Sequence, residues 1–136
     1  MFFQRSKVHE VQGVVPTAFV GGAARRYGEV HAQVYINLSP RALAGYPLGI
    51  FVIWQPLSTG SPDAFGVQRL LDTVDPLAAH VSSYWFDDGC GVASLALASW
   101  LVNRRGWTTE AALAALSPKS RLLTASTREL WCLTQD

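Results

Sequence analysis

The stretch Val81-Ser82-Ser83-Tyr84-Trp85-Phe86-Asp87-Asp88-Gly89-Cys90-Gly91-Val92-Ala93, running on through Leu95, Leu97, Trp100 and Leu101 to Arg105, decides how this chain folds. Val81–Phe86 is β-branched and aromatic and predicts a strand. Asp87–Gly91 reads as a tight glycine-containing loop. Ala93–Arg105 predicts a helix that is apolar on most faces and therefore central and buried, with Gly106 ending it. A strand, a short glycine loop and a buried helix together form an anion cradle. The loop amides and the unbonded amides at the start of the helix can both bind phosphate.

Working outward, Asp63–His80 carries Val67, Leu70, Leu71, Val74, Leu77 and Ala78 at spacings of three and four, which predicts a helix. Asp63 is placed to cap it, and Pro76 is expected to kink or restart it. Ile50–Trp54 is a nearly continuous apolar run, as expected for a strand buried on both faces of a mixed sheet. Gln55–Pro62 follows as a loop and Arg41–Leu48 precedes as a crossover. Val34–Leu38 predicts a strand that Ser39-Pro40 ends. Val14–Val20 predicts another, closed by Gly21-Gly22, with a short helix expected over Ala23–Gly28. Beyond the buried helix, Thr108 can cap a helix over Thr109–Leu116, Pro118 stops it, and Arg121–Leu133 is a final helical or extended piece. This order predicts one α/β domain over residues 1–136, a central mixed sheet flanked by helices.

Bulk composition narrows the function. Hydrophobic residues make up 49% of the 136 residues, enough for a full core without disulfides or metal. Charged residues make up 15% and the net charge is +1, which leaves no electrostatic footprint for nucleic acid or an anionic membrane. The apolar runs fall well short of the ~20 residues a membrane helix needs. Met1–Lys7 lacks the pattern of a signal peptide, so a soluble intracellular protein is expected. Cys90 and Cys132 match no metal-ligand spacing, and His9, His31 and His80 fit neither a metal site nor a Ser/His/Asp arrangement. Asp87-Asp88 lacks the further oxygen ligands a cation needs, and Gly21-Gly22 lacks a nucleotide-loop pattern. No metal and no cofactor are expected.

Several segments, taken in order, resemble the dual-specificity phosphatases. Phe19-Val20-Gly21-Gly22 is similar to the family's early strand ending in glycine, and Val34-Tyr35-Ile36-Asn37-Leu38-Ser39 to its "V-I-N-L-S" strand. Gly49-Ile50-Phe51 through Gln55-Pro56-Leu57 resembles the strand that runs into the general-acid loop. Ala98-Ser99-Trp100-Leu101-Val102, then Arg104-Arg105-Gly106-Trp107-Thr108, resembles "A-Y-L-M…G-(L/W)-(S/T)", and Glu110-Ala111-Ala112-Leu113 resembles "E-E-A-L". The resemblance covers about residues 14–118.

The family's chemistry uses the pattern H-C-x5-R. Its thiolate attacks phosphorus, its arginine grips two phosphoryl oxygens, and an aspartic acid on an earlier loop protonates the leaving oxygen. With the register set by the helix and by Gly89, Trp85 falls where the family has histidine, Phe86 at the nucleophile and Val92 at the arginine. The general-acid position falls at Ser58 or Thr59. Asp87 and Asp88 add negative charge where phosphate would sit, beside Gly91 at the loop's end.

Read this way, the resemblance implies a degenerate signature loop over Phe86–Val92 with no catalytic residue. The expected protein is then not an enzyme but a pseudophosphatase, a scaffold that binds a protein partner or a second copy of itself. Tyr84, Trp85 and Phe86 would turn the former pocket into an apolar interface, in keeping with the five tryptophans of the chain. Two alternatives stand beside this. One is an active cysteine-dependent phosphatase using Cys90, for which the matching arginine would have to stand at Ala96 and for which Asp63 offers a general acid. The other is a structural, oligomer-forming protein that uses the old active-site face as its interface.

Overall fold

The computed structural model describes residues 8–21, 32–39, 49–57, 64–87, 92–116, 128–129 and 131–133. The expected short helix at 23–28 and the crossover at 41–48 lie outside them, as does most of the piece expected over 121–133. The elements, in chain order, are β1 (His9–Val11), β2 (Thr17–Val20), β3 (Val34–Asn37), β4 (Phe51–Trp54), α1 (Ala64–Leu77), β5 (Ser83–Asp87), α2 (Val92–Arg104) and α3 (Thr109–Leu116). The result is a single small α/β domain.

Among the described residues, five strands form one sheet in the order β1-β2-β5-β3-β4. β1 pairs antiparallel with β2, and the other pairings are parallel, so the sheet is mixed. β5 sits at the centre, with Phe19 opposite Trp85 on one side and Tyr35 opposite Trp85 on the other. Successive side chains on a strand point to opposite faces. Ala18, Val20, Val34, Ile36, Tyr84 and Phe86 accordingly share one face, in one core with Val67, Leu70, Leu71 and Val74 of α1 and the buried residues of α2 and α3. Tyr35 and Trp85 take the opposite face and form a smaller cluster with Phe19, Val8, Ala32 and Ile50 against it.

α2 is the buried helix the sequence predicts: from Leu95 to Leu101 every residue is buried. It ends where Gly106 takes a left-handed φ of 77°, which lets the Trp107 amide return to the Leu101 carbonyl at 3.0 Å. Thr108 caps α3 as expected, its hydroxyl accepting from the Ala111 amide at 3.1 Å.

Two expectations are corrected. Ile50–Trp54 does not become a strand buried on both faces. β4 is the outer strand of the sheet, and Phe51 and Trp54 are exposed. The helix does not restart at Pro76, which occupies the last turn of α1, and the chain leaves the helix after Leu77 in a turn closed by the Ala78 amide on Asp75 and the His80 amide on Leu77. A proline that close to the end removes at most one hydrogen bond before the helix stops anyway.

Candidate active site

In open sheets with parallel strands, ligands gather beyond the carboxyl ends of those strands. Here that edge is formed by Gly21 after β2, Asn37 at the end of β3 and Asp87 at the end of β5. The chain ties these ends together. The Gly21 amide donates to the Phe86 carbonyl at 3.2 Å, and the Leu38 amide to the Asp87 carbonyl at 3.0 Å. The Trp85 indole donates to the Gly21 carbonyl at 2.9 Å. Asn37, 1% exposed, turns its side-chain oxygen back to accept from the amide and hydroxyl of Ser39, which closes β3.

Asp87 is the charged group at this edge among the described residues and is 1% exposed. Tyr35 stands on the neighbouring strand and the same face, two residues before Asp87's partner Asn37. Its hydroxyl donates to Asp87 Oδ2 at 2.5 Å. A buried carboxylate needs such donors. Trp85 holds Tyr35 in place edge-on, with ring centroids 4.9 Å apart. The Asp87 carboxylate therefore lies on the Tyr35 face of the sheet.

Only four residues, Asp88, Gly89, Cys90 and Gly91, separate Asp87 from Val92, the first residue of α2. All four lie outside the described residues, as do the expected general-acid positions Ser58 and Thr59 and the alternative Asp63.

Phe86 and Val92, the residues assigned to the nucleophile and arginine positions, are 0% and 2% exposed and belong to the main core. Phe86 packs near Tyr84, with centroids 6.1 Å apart, on the helix-facing side. Tyr84 hydrogen-bonds the Val74 carbonyl at 2.7 Å and meets Trp100 edge-on at 5.3 Å. Burial, with the Asp75 carboxylate adding to it, pushes the Tyr84 hydroxyl well above the usual tyrosine range, against a smaller opposing effect of Arg105. Tyr84, Trp85 and Phe86 are thus interior residues and offer no surface to a partner, which corrects the expected aromatic interface. Of the five tryptophans, Trp54 alone is exposed, and its indole donates to the Ser39 carbonyl. Sequence reasoning passed over Tyr35 and Asn37 as neighbours of the site. The signal was present as two polar-tipped residues at alternate positions of an otherwise apolar strand.

Among the described residues no group of three or more His, Cys, Asp or Glu side chains is arranged to hold a metal ion. No described helix is long and apolar enough to cross a membrane.

No protein-family model and no curated protein sequence matches this chain. Its fold is that of the dual-specificity and protein tyrosine phosphatases. A crystallised glycine-to-alanine variant of Tk-PTP superimposes with a TM-score of 0.67 at 17% identity, over 92% of this chain and 91% of that one. A tyrosine-to-histidine variant of human DUSP28 gives 0.64 at 12% identity, over 91% and 90% of the two chains. PTPMT1 in complex with PI(5)P gives 0.62 at 13% identity, over 91% of each. Tk-PTP has also been crystallised in its active form, with a TM-score of 0.63 at 15% identity, over 83% of this chain and 87% of that one.

These neighbours correct the expectation that the chain is not an enzyme, because the fold it shares is one that Tk-PTP has in its active form. Phe86 and Val92, the residues assigned to the nucleophile and arginine positions, are core residues, and the loop between Asp87 and Val92 lies outside the described residues.

Proposed function

We propose that the protein is a phosphoester-hydrolysing enzyme and that Cys90 supplies the attacking thiolate. One observation carries this reading. The central parallel strand β5 ends at the carboxyl edge of the sheet and, after four intervening residues, the buried helix α2 begins, with Cys90 among those four in sequence. The first amides of a helix lack partners within it and carry partial positive charge, which stabilises both a thiolate and a bound phosphate dianion.

The reaction follows from the thiolate. Its sulfur lone pair forms a bond to phosphorus as the ester P–O bond breaks, and the leaving oxygen takes a proton from a carboxylic acid. Asp63, which directly precedes α1, is assigned that proton. Water then attacks phosphorus and gives a proton to the Asp63 carboxylate, the P–S bond breaks with its electron pair returning to sulfur, and inorganic phosphate and the Cys90 thiolate are released.

The chain departs from the H-C-x5-R pattern. No arginine stands between Cys90 and Arg104, and Ala96, at the matching distance from Cys90, is buried in α2. Holding the phosphoryl oxygens then falls to main-chain amides, which lack the bidentate grip of a guanidinium. Weak substrate binding is expected, with a KM at or above the roughly 1 mM end of the usual range.

The test is hydrolysis of an aryl phosphate and a phosphotyrosine peptide by the wild-type chain and by Cys90→Ser. Turnover that falls to background in the variant supports the reading. Turnover that survives in the variant removes Cys90 from the chemistry, and absence of turnover in the wild type on both substrates overturns the proposal for them.

A further inference from the structure

Ser99 and Thr109 are hydroxyl residues sealed in the apolar core, at 0% and 4% exposure. Buried hydroxyls destabilise a core unless they find partners. Both find them in one short stretch from elsewhere in the chain. The Ser99 hydroxyl donates to the carbonyl of Trp131, and the Thr109 hydroxyl donates to the carbonyl of Leu133 at 2.8 Å. Asn103, one turn after Ser99 on α2, donates its side-chain amide to the intervening carbonyl of Cys132 at 2.8 Å. Three side chains of α2 and α3 therefore read three consecutive main-chain carbonyls. From α1, the Gln68 amide donates to Cys132 Sγ at 3.2 Å.

The apolar contacts follow the same plan. Trp131 is 0% and Leu133 1% exposed, and both join the main core, while Cys132 between them is half-buried. The stretch holds its own shape. Cys132 takes a left-handed φ of 57°, the Cys132 amide donates to the Glu129 carbonyl at 3.0 Å, and the Leu133 amide donates to the Arg128 carbonyl at 2.6 Å. A self-closed turn with two apolar anchors, gripped through its carbonyls, has the form of a bound peptide. Main-chain hydrogen bonds supply affinity and two pockets supply selectivity.

We propose that the groove between α1, α2 and α3 is a peptide-recognition site for a turn-forming Trp-x-Leu segment, occupied in this chain by its own residues 131–133. The segment is a replaceable strap on α2. It grips the part of the helix that follows the anion cradle, so a competing peptide would act on the helix whose start forms the candidate active site. The groove stands independently of the phosphatase reading, because none of the contacts that define it is made by Cys90.

The test keeps the full chain. A protease recognition sequence placed within residues 118–126 and cut after folding leaves the strap held by non-covalent contacts alone. The two pieces are expected to co-elute in gel filtration, and a labelled synthetic peptide of residues 127–136 is expected to exchange into the cut protein. Ser99→Ala and Thr109→Val are each expected to weaken that uptake roughly fivefold, the usual worth of one hydrogen bond. A peptide carrying Cys132→Val is expected to bind more weakly, and one carrying Cys132→Gly to bind at least as well, because a β-branched residue resists the left-handed conformation that glycine adopts freely. If loss of the strap unfolds the cut protein, recovery of its near-ultraviolet circular dichroism on adding the peptide supports the proposal. Failure to recover overturns it, as does a cut protein that stays folded yet neither keeps the strap nor takes up the peptide.

Discussion

β4 and β5 are both short, both aromatic and apolar in sequence, and both parallel to β3, yet they occupy opposite conditions. All five residues of β5 are buried, whereas in β4 Phe51, Val52 and Trp54 are exposed and only Ile53 is partly covered. The difference lies in the sheet order. β5 has a strand on each side, while β4 has β3 on one side and no described strand on the other. Apolarity shows that a segment can enter a sheet but not where in the order it will sit. The two strands also lead into the two segments that the proposed reaction needs, β5 into the loop with Cys90 and β4 into the run ending at Asp63. One half of the site would thus rest on a packed support and the other on an edge.

The largest expected effect contrasts the two strands directly. Phe86→Ala is expected to cost about 3–5 kcal/mol of stability by emptying a filled core position. Phe51→Ala, at 60% exposure, is expected to cost less than about 1 kcal/mol. Urea denaturation of both variants measures this, and equal losses would break the comparison. Next, Asp63→Asn is expected to lower kcat by roughly a hundredfold or more, the usual contribution of a general acid, while leaving the urea midpoint near that of the wild type.

Much of this contrast was legible beforehand and part was not. The strand–loop–helix run around Gly89 fixed the central strand and the buried helix, because the β-branched and aromatic run and the all-round apolar helix are strong local signals. Thr108 and Gly106 marked the ends of helices for reasons that depend on few residues. Strand order depends on long-range pairing, so the edge position of β4 was hidden, and β1, with three residues, carried too little pattern to show. The burial of Phe86 and Val92 was hidden for a related reason. A sequence spacing does not report which way a side chain points, and both residues turned out to belong to the core. Tyr35 and Asp87 are 52 positions apart, and only the parallel pairing of β3 with β5 brings them together.

A smaller effect sharpens the view of β5 as a packed support. Tyr35→Phe removes one donor from the buried Asp87 carboxylate and is expected to cost about 1–3 kcal/mol, measurable by thermal or urea unfolding. Smaller again, Tyr84→Phe removes the hydrogen bond to the Val74 carbonyl, worth about 1 kcal/mol. The same residue gives a pH signature. The Tyr84 hydroxyl holds its proton more tightly in the folded chain than in the unfolded one, so folding stability is full below the ordinary tyrosine value of about 10 and falls as pH rises beyond it. Tyr84→Phe is expected to flatten that alkaline decline. An unchanged decline would show that Tyr84 is not its source.

The central claim is that the loop carried by β5 forms a covalent phosphoryl-enzyme at Cys90. The most direct measurement is to mix the protein with an aryl phosphate, quench it within the first turnovers and map the modified peptide by mass spectrometry. One phosphoryl group on Cys90, lost on standing with release of inorganic phosphate and never formed in Cys90→Ser, is the expected result. Turnover of the same substrate with Cys90 unmodified at every quench time would contradict the account.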